Sequence, residues 1–333
     1  MTAISVACQQ RVKLNDGREM PSFGLGVWQA PLGACKAAVL HALRCGYRHI
    51  DTAEVYGNEQ DVGDALAIFL KERPDVQRED VWITTKFWPR HGLGRAAVIR
   101  ACRDSLRKLR LQYVDLYLIH APHTRERLEQ YRALEALRAE GLCRSIGVSN
   151  YGPRQIVKVQ RRLAERGLAV ATAQVQFSLL SNTPLQRELK AVCDDLGIAL
   201  IAYSPLGLGM LSGKYGAGDA VPEGRLRRFL FPQILGGIGP LLRELEAVAA
   251  ARRKTMAQVA VNWCIAKDTI PIVGARTLAQ AEENLGALGW LLSDAAELIK
   301  GGRVLELGAG TGACGTFAAA LGAEHVLLTD LGN

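Results

Sequence analysis

From about residue 22 to about residue 290 the chain alternates between short apolar runs and longer stretches of helical periodicity. The short runs are FGLGV (23–27), HIDTA (49–53), VWITTK (81–86), VDLYLIH (114–120), SIGVS (145–149), TAQVQ (172–176), ALIAYSP (199–205) and IPIVGA (270–275). They are rich in Val and Ile and largely apolar, as strands covered on both faces should be. Between them, RAAVIRACRDSLRKLR places Ala97, Val98, Ala101, Cys102, Leu106 and Leu109 on one helical stripe. ERLEQYRALEALRAEG repeats the pattern and closes on Gly141, a helix stop. Eight strand-then-helix units predict a (β/α)8 barrel.

Ahead of the first barrel strand, RVKLNDGREMP reads as a β-hairpin, with Asp16-Gly17 supplying the positive-φ turn. A hairpin there would plug the bottom of the barrel. The longest connection, about residues 206–240, follows the seventh strand and is rich in glycine. A connection of that length in a compact domain is usually functional.

Composition narrows the class. The 333 residues suffice for one large barrel, and 49% apolar with 22% charged residues provides a core and argues against wholesale disorder. The net charge of +8 is scattered, with local clusters at QRRLAER and GRLRRF, which favours a solvated basic surface over a nucleic-acid stripe. A basic mouth could also attract a phosphorylated ligand. The eight cysteines form no CxxC. None reads as having a neighbouring histidine at zinc-ligand spacing, so the expectation is no metal site and a reduced, cytoplasmic protein. No apolar run reaches membrane-spanning length and the N-terminus lacks a secretory pattern; a cleaved organellar presequence stays an open alternative.

The candidate chemistry lies at strand ends. HIDTAEVYG carries Asp51 and Tyr56, ITTK ends on Lys86, LYLIH ends on His120, and IGVSN ends on Ser149 and Asn150. In a parallel barrel the C-terminal strand ends converge on one mouth. An aspartate, a tyrosine, a lysine and a histidine distant in sequence would therefore meet. Singly, each has an ordinary reading: Asp51 as a cap, Tyr56 as a rim aromatic, Lys86 as a solvated lysine. His49 reads as the first residue of its strand and His123 as a loop histidine.

The segments LNDGREMPSFGLGVWQ, GYRHIDTAEVYGNE, TTKFWP, DLYLIH, IGVSNY, IAYSPLGLGMLSGKY and IPIVGARTLAQAEEN occur in this order and together resemble the aldo-keto reductases from about residue 11 to about residue 298. The resemblance implies a (β/α)8 TIM barrel and reduction of aldehydes or ketones by hydride transfer from NADPH. It implies Tyr56 as proton donor, with Asp51, Lys86 and His120 completing a tetrad. Chemistry agrees. A tyrosine with an unperturbed pKa of ~10 is a poor acid unless its anion is stabilised, and a nearby lysine does that. A neutral His120 could polarise the carbonyl oxygen.

The resemblance further implies that Gly26, Val27 and Trp28 border the cofactor, with Ser149, Asn150 and Gln174 on the nicotinamide carboxamide and Tyr203 stacked on the ring. Ser204, Leu206, Gly209 and Lys214 would follow the pyrophosphate, Arg276 would pair with a 2′-phosphate, and Gln280, Glu283 and Asn284 would hold the adenine end. Trp28 and Trp88, with Tyr56 and His120, would line the substrate pocket; the two tryptophans follow Val27 and Phe87, read as filling inward positions. Many family members carry tryptophan after the LIH histidine. This chain has Ala121, which implies a roomier pocket. The partner is then a small carbonyl compound, with no nucleic acid and no membrane; oligomeric state is open.

After SDAAELI the family pattern of a helix and a substrate-covering tail gives way to KGGRVLELGAGTGACGTFAAALGAEHVLLTDLGN. Glu306, Gly308, Gly310, Gly312 and Asp330 there resemble the first βαβ unit of a class I S-adenosylmethionine methyltransferase. With one such unit, residues 299–333 are expected to be a fragment without a working site, beside a reductase domain over 1–298. Two other functions compete: a redox-sensing regulatory subunit with slow turnover, and a methyltransferase.

Overall fold

The computed structural model describes residues 10–31, 33–89, 94–122, 127–215, 231, 234–275 and 277–288, together with the backbone of 303–307 and 325–329. Two short strands, β1 (Arg11–Lys13) and β2 (Glu19–Pro21), pair antiparallel as a hairpin. Eight strands follow: β3 (Gly24–Gly26), β4 (His49–Asp51), β5 (Trp82–Phe87), β6 (Val114–Ile119), β7 (Cys143–Ser149), β8 (Thr172–Gln176), β9 (Ala199–Tyr203) and β10 (Thr269–Gly274). They pair in parallel in chain order, and β10 returns to β3 to close the barrel. Each predicted strand segment overlaps one of these, with ends shifted by at most two residues.

Helices cover the outside: α1 (Ala34–Cys45), α2 (Glu59–Glu72), α3 (Arg95–Leu109), α4 (Arg127–Ala139), α5 (Pro153–Ala164), α6 (Pro184–Asp195), α7 (Gly239–Arg252), α8 (Met256–Ala266) and α9 (Leu278–Leu285). On α3 the predicted stripe is the buried one: Val98, Cys102, Leu106 and Leu109 are buried and Ala97 and Ala101 half-buried. Helix α4 ends at Ala139, and Gly141 takes φ +72° where a stop was expected.

Strand parity divides two cores. Ile50, Ile83, Phe87, Tyr117, Ile119 and Val148 pack in the layer between barrel and helices. Trp82, Leu116, Leu118, Ile201, Ile270 and Ile272 pack inside the barrel, where Leu14 and Met20 of the hairpin join them. The hairpin is therefore the expected plug. Its turn differs in one detail: Gly17 takes φ +86°, while the Asp16 carboxylate accepts hydrogen bonds from Ser145 Oγ at 2.7 Å and Arg18 N at 3.2 Å. Inside the barrel, Gly24 lies against the His49 ring so closely that a Cβ there would overlap Nδ1.

Between β9 and α7 the chain forms a 3₁₀ turn over Gly207–Ser212, and residues 216–230 of this connection lie outside the described residues. Strands β11 (Arg303–Leu307) and β12 (His325–Thr329) pair in parallel, Arg303 opposite His325. The connection between them lies outside the described residues. Glu306 lies in β11; Gly308, Gly310, Gly312 and Asp330 lie outside the described residues. No helix among the described residues is long and apolar enough to cross a membrane.

Candidate active site

The C-terminal strand ends surround a cavity of about 870 Å³, within the usual range for small-ligand sites. Its floor begins with β4 and β5. Asp51, the last residue of β4, is 2% exposed and accepts a hydrogen bond from Gln174 Nε2 at 2.7 Å. Lys86 on β5 is fully buried beneath it and ion-pairs with Asp51 Oδ1. The same ammonium donates to the Thr52 carbonyl at 2.8 Å and to Tyr56 Oη at 3.3 Å. It also sits 4.9 Å from the Tyr56 ring centre. The ammonium's three donors therefore have three partners.

Tyr56 is carried by the 3₁₀ turn Glu54–Tyr56 directly after β4. Asn58 fixes this segment: its Nδ2 donates to the Val27 carbonyl at 2.8 Å, and Thr52 Oγ1 donates to its Oδ1 at 2.8 Å. Glu54 accepts from the Trp88 backbone N–H at 2.6 Å. His120, immediately after β6, makes edge-on contacts with Tyr56 and Trp88 at centroid distances of 5.6 and 5.0 Å. The structure thus brings all four tetrad candidates together.

Electrostatics follow from burial. Desolvation, with the Lys86 charge second, depresses His120 to about 3, so its imidazole is neutral at ordinary pH. Burial opposes the Lys86 charge, but Asp51 and Tyr56 outweigh it and raise the lysine's pKa. Burial also raises Tyr56; Lys86 pulls it down and Asp51 pushes it up, leaving it above its ordinary value. Tyr56 is therefore protonated at neutral pH, beside a cation that would favour its anion.

The remaining candidates ring the same cavity. Gly26, Trp28, Trp88, Ser149, Asn150, Gln174, Tyr203 and Ser204 line it, as do Leu206, Gly209, Lys214, Gln280, Glu283 and Asn284. Trp28 is 46% exposed at the rim. Asn150 donates to the His120 carbonyl at 2.9 Å and to Ser149 Oγ at 3.1 Å, and accepts from Tyr203 Oη at 2.9 Å. Since Ser149 Oγ accepts from Asn150, its own proton is available to the cavity. Four non-glycine residues with positive φ border the cavity: Gln29, Asn150, Ser204 and Leu208. The other three among the described residues, Arg110, Arg253 and Asp268, follow helix ends. Four of these seven positions thus lie at the mouth, the usual place for functional backbone strain.

Two expectations about side-chain direction need correction. Val27 does not line the cavity; one residue past Gly26, its side chain turns outward and is buried among the helices. Phe87 likewise belongs to the layer beneath the helices and not to the inward face, which Lys86 occupies. Arg276 and His123 lie outside the described residues. Sequence reading missed Gln29, Gln176, Leu208 and Tyr215, which also line the cavity. Of these, Gln176 was accessible from strand parity, two residues beyond Gln174. Reading the cysteines as lacking a histidine at ligand spacing was also incorrect: His41 and Cys45 stand one helical turn apart on α1, with Sγ 3.3 Å from Nε2.

His49 faces the barrel interior below this floor, bonded to Thr84 Oγ1 at 3.1 Å. Burial first, and Lys86 second, lower it to about 3. The unfolded chain, with histidine near ~6.5, binds more protons than the native state between those values. The native contribution is therefore complete above ~6.5 and falls as pH drops toward about 3. At ~1.4 kcal/mol per pH unit, about 2 kcal/mol of unfolding free energy should disappear between pH 6.5 and 5 from His49 alone. Urea denaturation of parent and His49→Gln across this window should show a shallower slope in the variant; identical slopes would contradict the assignment.

A closed parallel barrel with an Asp–Lys–Tyr cluster and a neutral histidine at its mouth defines a class of barrel enzymes that handle protons on a small ligand. The Aldo/keto reductase family matches residues 22–296, and the chain belongs to that family of oxidoreductases acting on carbonyl compounds. It is similar to "Pyridoxal reductase, chloroplastic" of Arabidopsis thaliana, 43% identical over 270 residues covering 77% of this chain and 73% of that one. It is 33% identical to "Aldo-keto reductase family 1 member A1-A" of Danio rerio over 308 residues, 85% and 86% of the two chains. Among solved structures, an aldo/keto reductase from Brucella melitensis superposes with TM-score 0.69 at 33% identity, covering 86% of this chain and 95% of that one. An aldo-keto reductase of Bombyx mori in complex with NADP superposes with TM-score 0.69 at 31% identity, covering 85% and 89%. Residues 297–333 lie beyond the family match.

Proposed function

We propose that the chain reduces aldehydes and ketones to alcohols using NADPH, with Tyr56 as proton donor. The observation that carries this reading is the buried Asp51–Lys86 pair placed under the Tyr56 hydroxyl at the cavity floor. When bound, NADPH supplies the hydride that reaches the carbonyl carbon. The chain's residues do the rest. Tyr56 Oη gives its proton to the carbonyl oxygen as negative charge develops there, and Lys86 stabilises the phenolate left behind. Asp51 holds the lysine charged and Gln174 holds Asp51. Neutral His120 donates a hydrogen bond to the carbonyl oxygen. Trp28 and Trp88 shape the pocket for the rest of the substrate, with Ala121 leaving room beside His120.

The donor set fits a dinucleotide. Ser149 has a hydroxyl proton free for a carboxamide oxygen, and Tyr203 offers a ring face at the cavity. The turn at Ser204–Gly209 brings backbone and Lys214 to the cavity wall, and Gln280, Glu283 and Asn284 edge it where an adenine would lie. A scan of NADPH oxidation over a small panel of aldehydes and ketones tests the reading. Pyridoxal belongs in the panel because a relative carries that activity in its name. Consumption of NADPH only in the presence of a carbonyl is expected; none across the panel would refute it.

Cofactor choice rests on Arg276, which can pair bidentately with a 2′-phosphate. A charge-assisted contact is worth roughly 1.5–3 kcal/mol, or one to two decades of affinity. Fluorescence titration should show NADPH bound more tightly than NADH, with Arg276→Ala closing the gap mainly by weakening NADPH. Equal parental affinities would contradict this. The tail is read as a methyltransferase-like fragment without its own activity. Every proposed catalytic and binding residue precedes residue 285, so truncation after Ile299 should retain reduction of small aldehydes, and calorimetry on the full chain should show no S-adenosylmethionine binding. Binding abolished by Gly310→Val would reverse that reading.

A further inference from the structure

Outside the cavity, His41 Nε2, Cys45 Sγ and a Glu282 carboxylate oxygen lie within 4.8 Å of one another. His41 and Cys45 are four residues apart on α1, so both project from one face of that helix. Glu282 comes from α9, which packs against α1. The imidazole nitrogen is 3.3 Å from the thiol sulfur and 3.0 Å from the carboxylate oxygen. One ring nitrogen carries at most one proton, so it cannot serve both neighbours well by hydrogen bonding. A cation between the three atoms would satisfy all of them.

We propose that His41, Cys45 and Glu282 form a binding site for a zinc-like divalent cation, with water as the fourth ligand. Imidazole, thiolate and carboxylate together suit a borderline-soft ion. Bonds of ~2.0–2.3 Å in a tetrahedron imply ligand–ligand edges of about 3.4–3.6 Å. The two separations from His41 Nε2, 3.3 Å to the sulfur and 3.0 Å to the carboxylate oxygen, need to open by only a few tenths of an ångström, and rotation of the exposed Glu282 side chain sets the third edge. Glu282 is 61% exposed, which gives the ion an approach and leaves a position for water. Binding replaces the Cys45 S–H bond with a metal–sulfur bond and sends the proton to the buffer. The ion would tie α9 to α1, and α9 also carries Gln280, Glu283 and Asn284 to the cavity wall.

The test uses the full, tag-free chain after chelator treatment. Calorimetric titration with zinc chloride should show one equivalent bound, with affinity rising with pH as a proton is released. Titration with cobalt(II) should produce a thiolate-to-metal charge-transfer band. Cys45→Ser should abolish that band, and Glu282→Gln, an isosteric change at an exposed side chain, should weaken binding while the melting temperature without metal stays at the parental value. Absence of one-equivalent binding, or an undiminished band in Cys45→Ser, would overturn the proposal.

Discussion

Tyr56→Phe is expected to lower kcat for aldehyde reduction by roughly 10²–10⁴-fold, the usual contribution of a general acid, while NADPH affinity stays close to the parent's. The separation is physical. The phenol lies on the cavity floor, 3.3 Å from Lys86 Nζ, and shares no hydrogen bond with Ser149, Asn150 or Gln174. Removing one oxygen takes away the transferable proton and leaves the ring's packing against His120 intact. Steady-state kinetics with a fluorescence titration of NADPH measures both quantities. Parental turnover in Tyr56→Phe would remove the tyrosine from the chemistry.

Lys86→Met should lose activity to a similar degree and also lose stability, which Tyr56→Phe should not. The lysine is fully buried, and its removal leaves Asp51, 2% exposed, without its cation. Breaking one side of a buried ion pair costs about 3–5 kcal/mol. The Thr52 carbonyl would lose its donor as well. Replacing both charges, in Asp51→Asn with Lys86→Met, should recover much of the stability because no isolated charge stays buried. It should recover none of the activity. Urea denaturation of the parent, the single variant and the double variant reads this directly. A single variant as stable as the parent would mean that Asp51 carries no buried charge.

The barrel was legible because its signal is local and repeated: eight short apolar runs, each followed by a helical stripe. The tetrad was legible because a parallel barrel sends successive strand ends to one place, whatever their separation in sequence. Parity was harder to read. Val27 and Phe87 each stand one residue beyond an inward-facing position, Gly26 and Lys86, and a one-residue step reverses the face. The direction of Lys86 was likewise hidden. A lysine at a strand end reads as a mouth residue, whereas here it is drawn under the floor by Asp51, the Thr52 carbonyl and Tyr56. The His41–Cys45–Glu282 cluster joins two helices at opposite ends of the domain's sequence, and only the closure of β10 onto β3 brings α9 beside α1.

The central claim is hydride transfer to a carbonyl carbon at the Tyr56 floor. Its most direct test supplies NADPH deuterated at the transferring position together with an aldehyde, and examines the product by mass spectrometry. The account predicts an alcohol carrying one deuterium on the former carbonyl carbon, formed by the parent and suppressed in Tyr56→Phe. Recovery of unreduced aldehyde with NADPH unconsumed, or reduction without deuterium at that carbon, would contradict it.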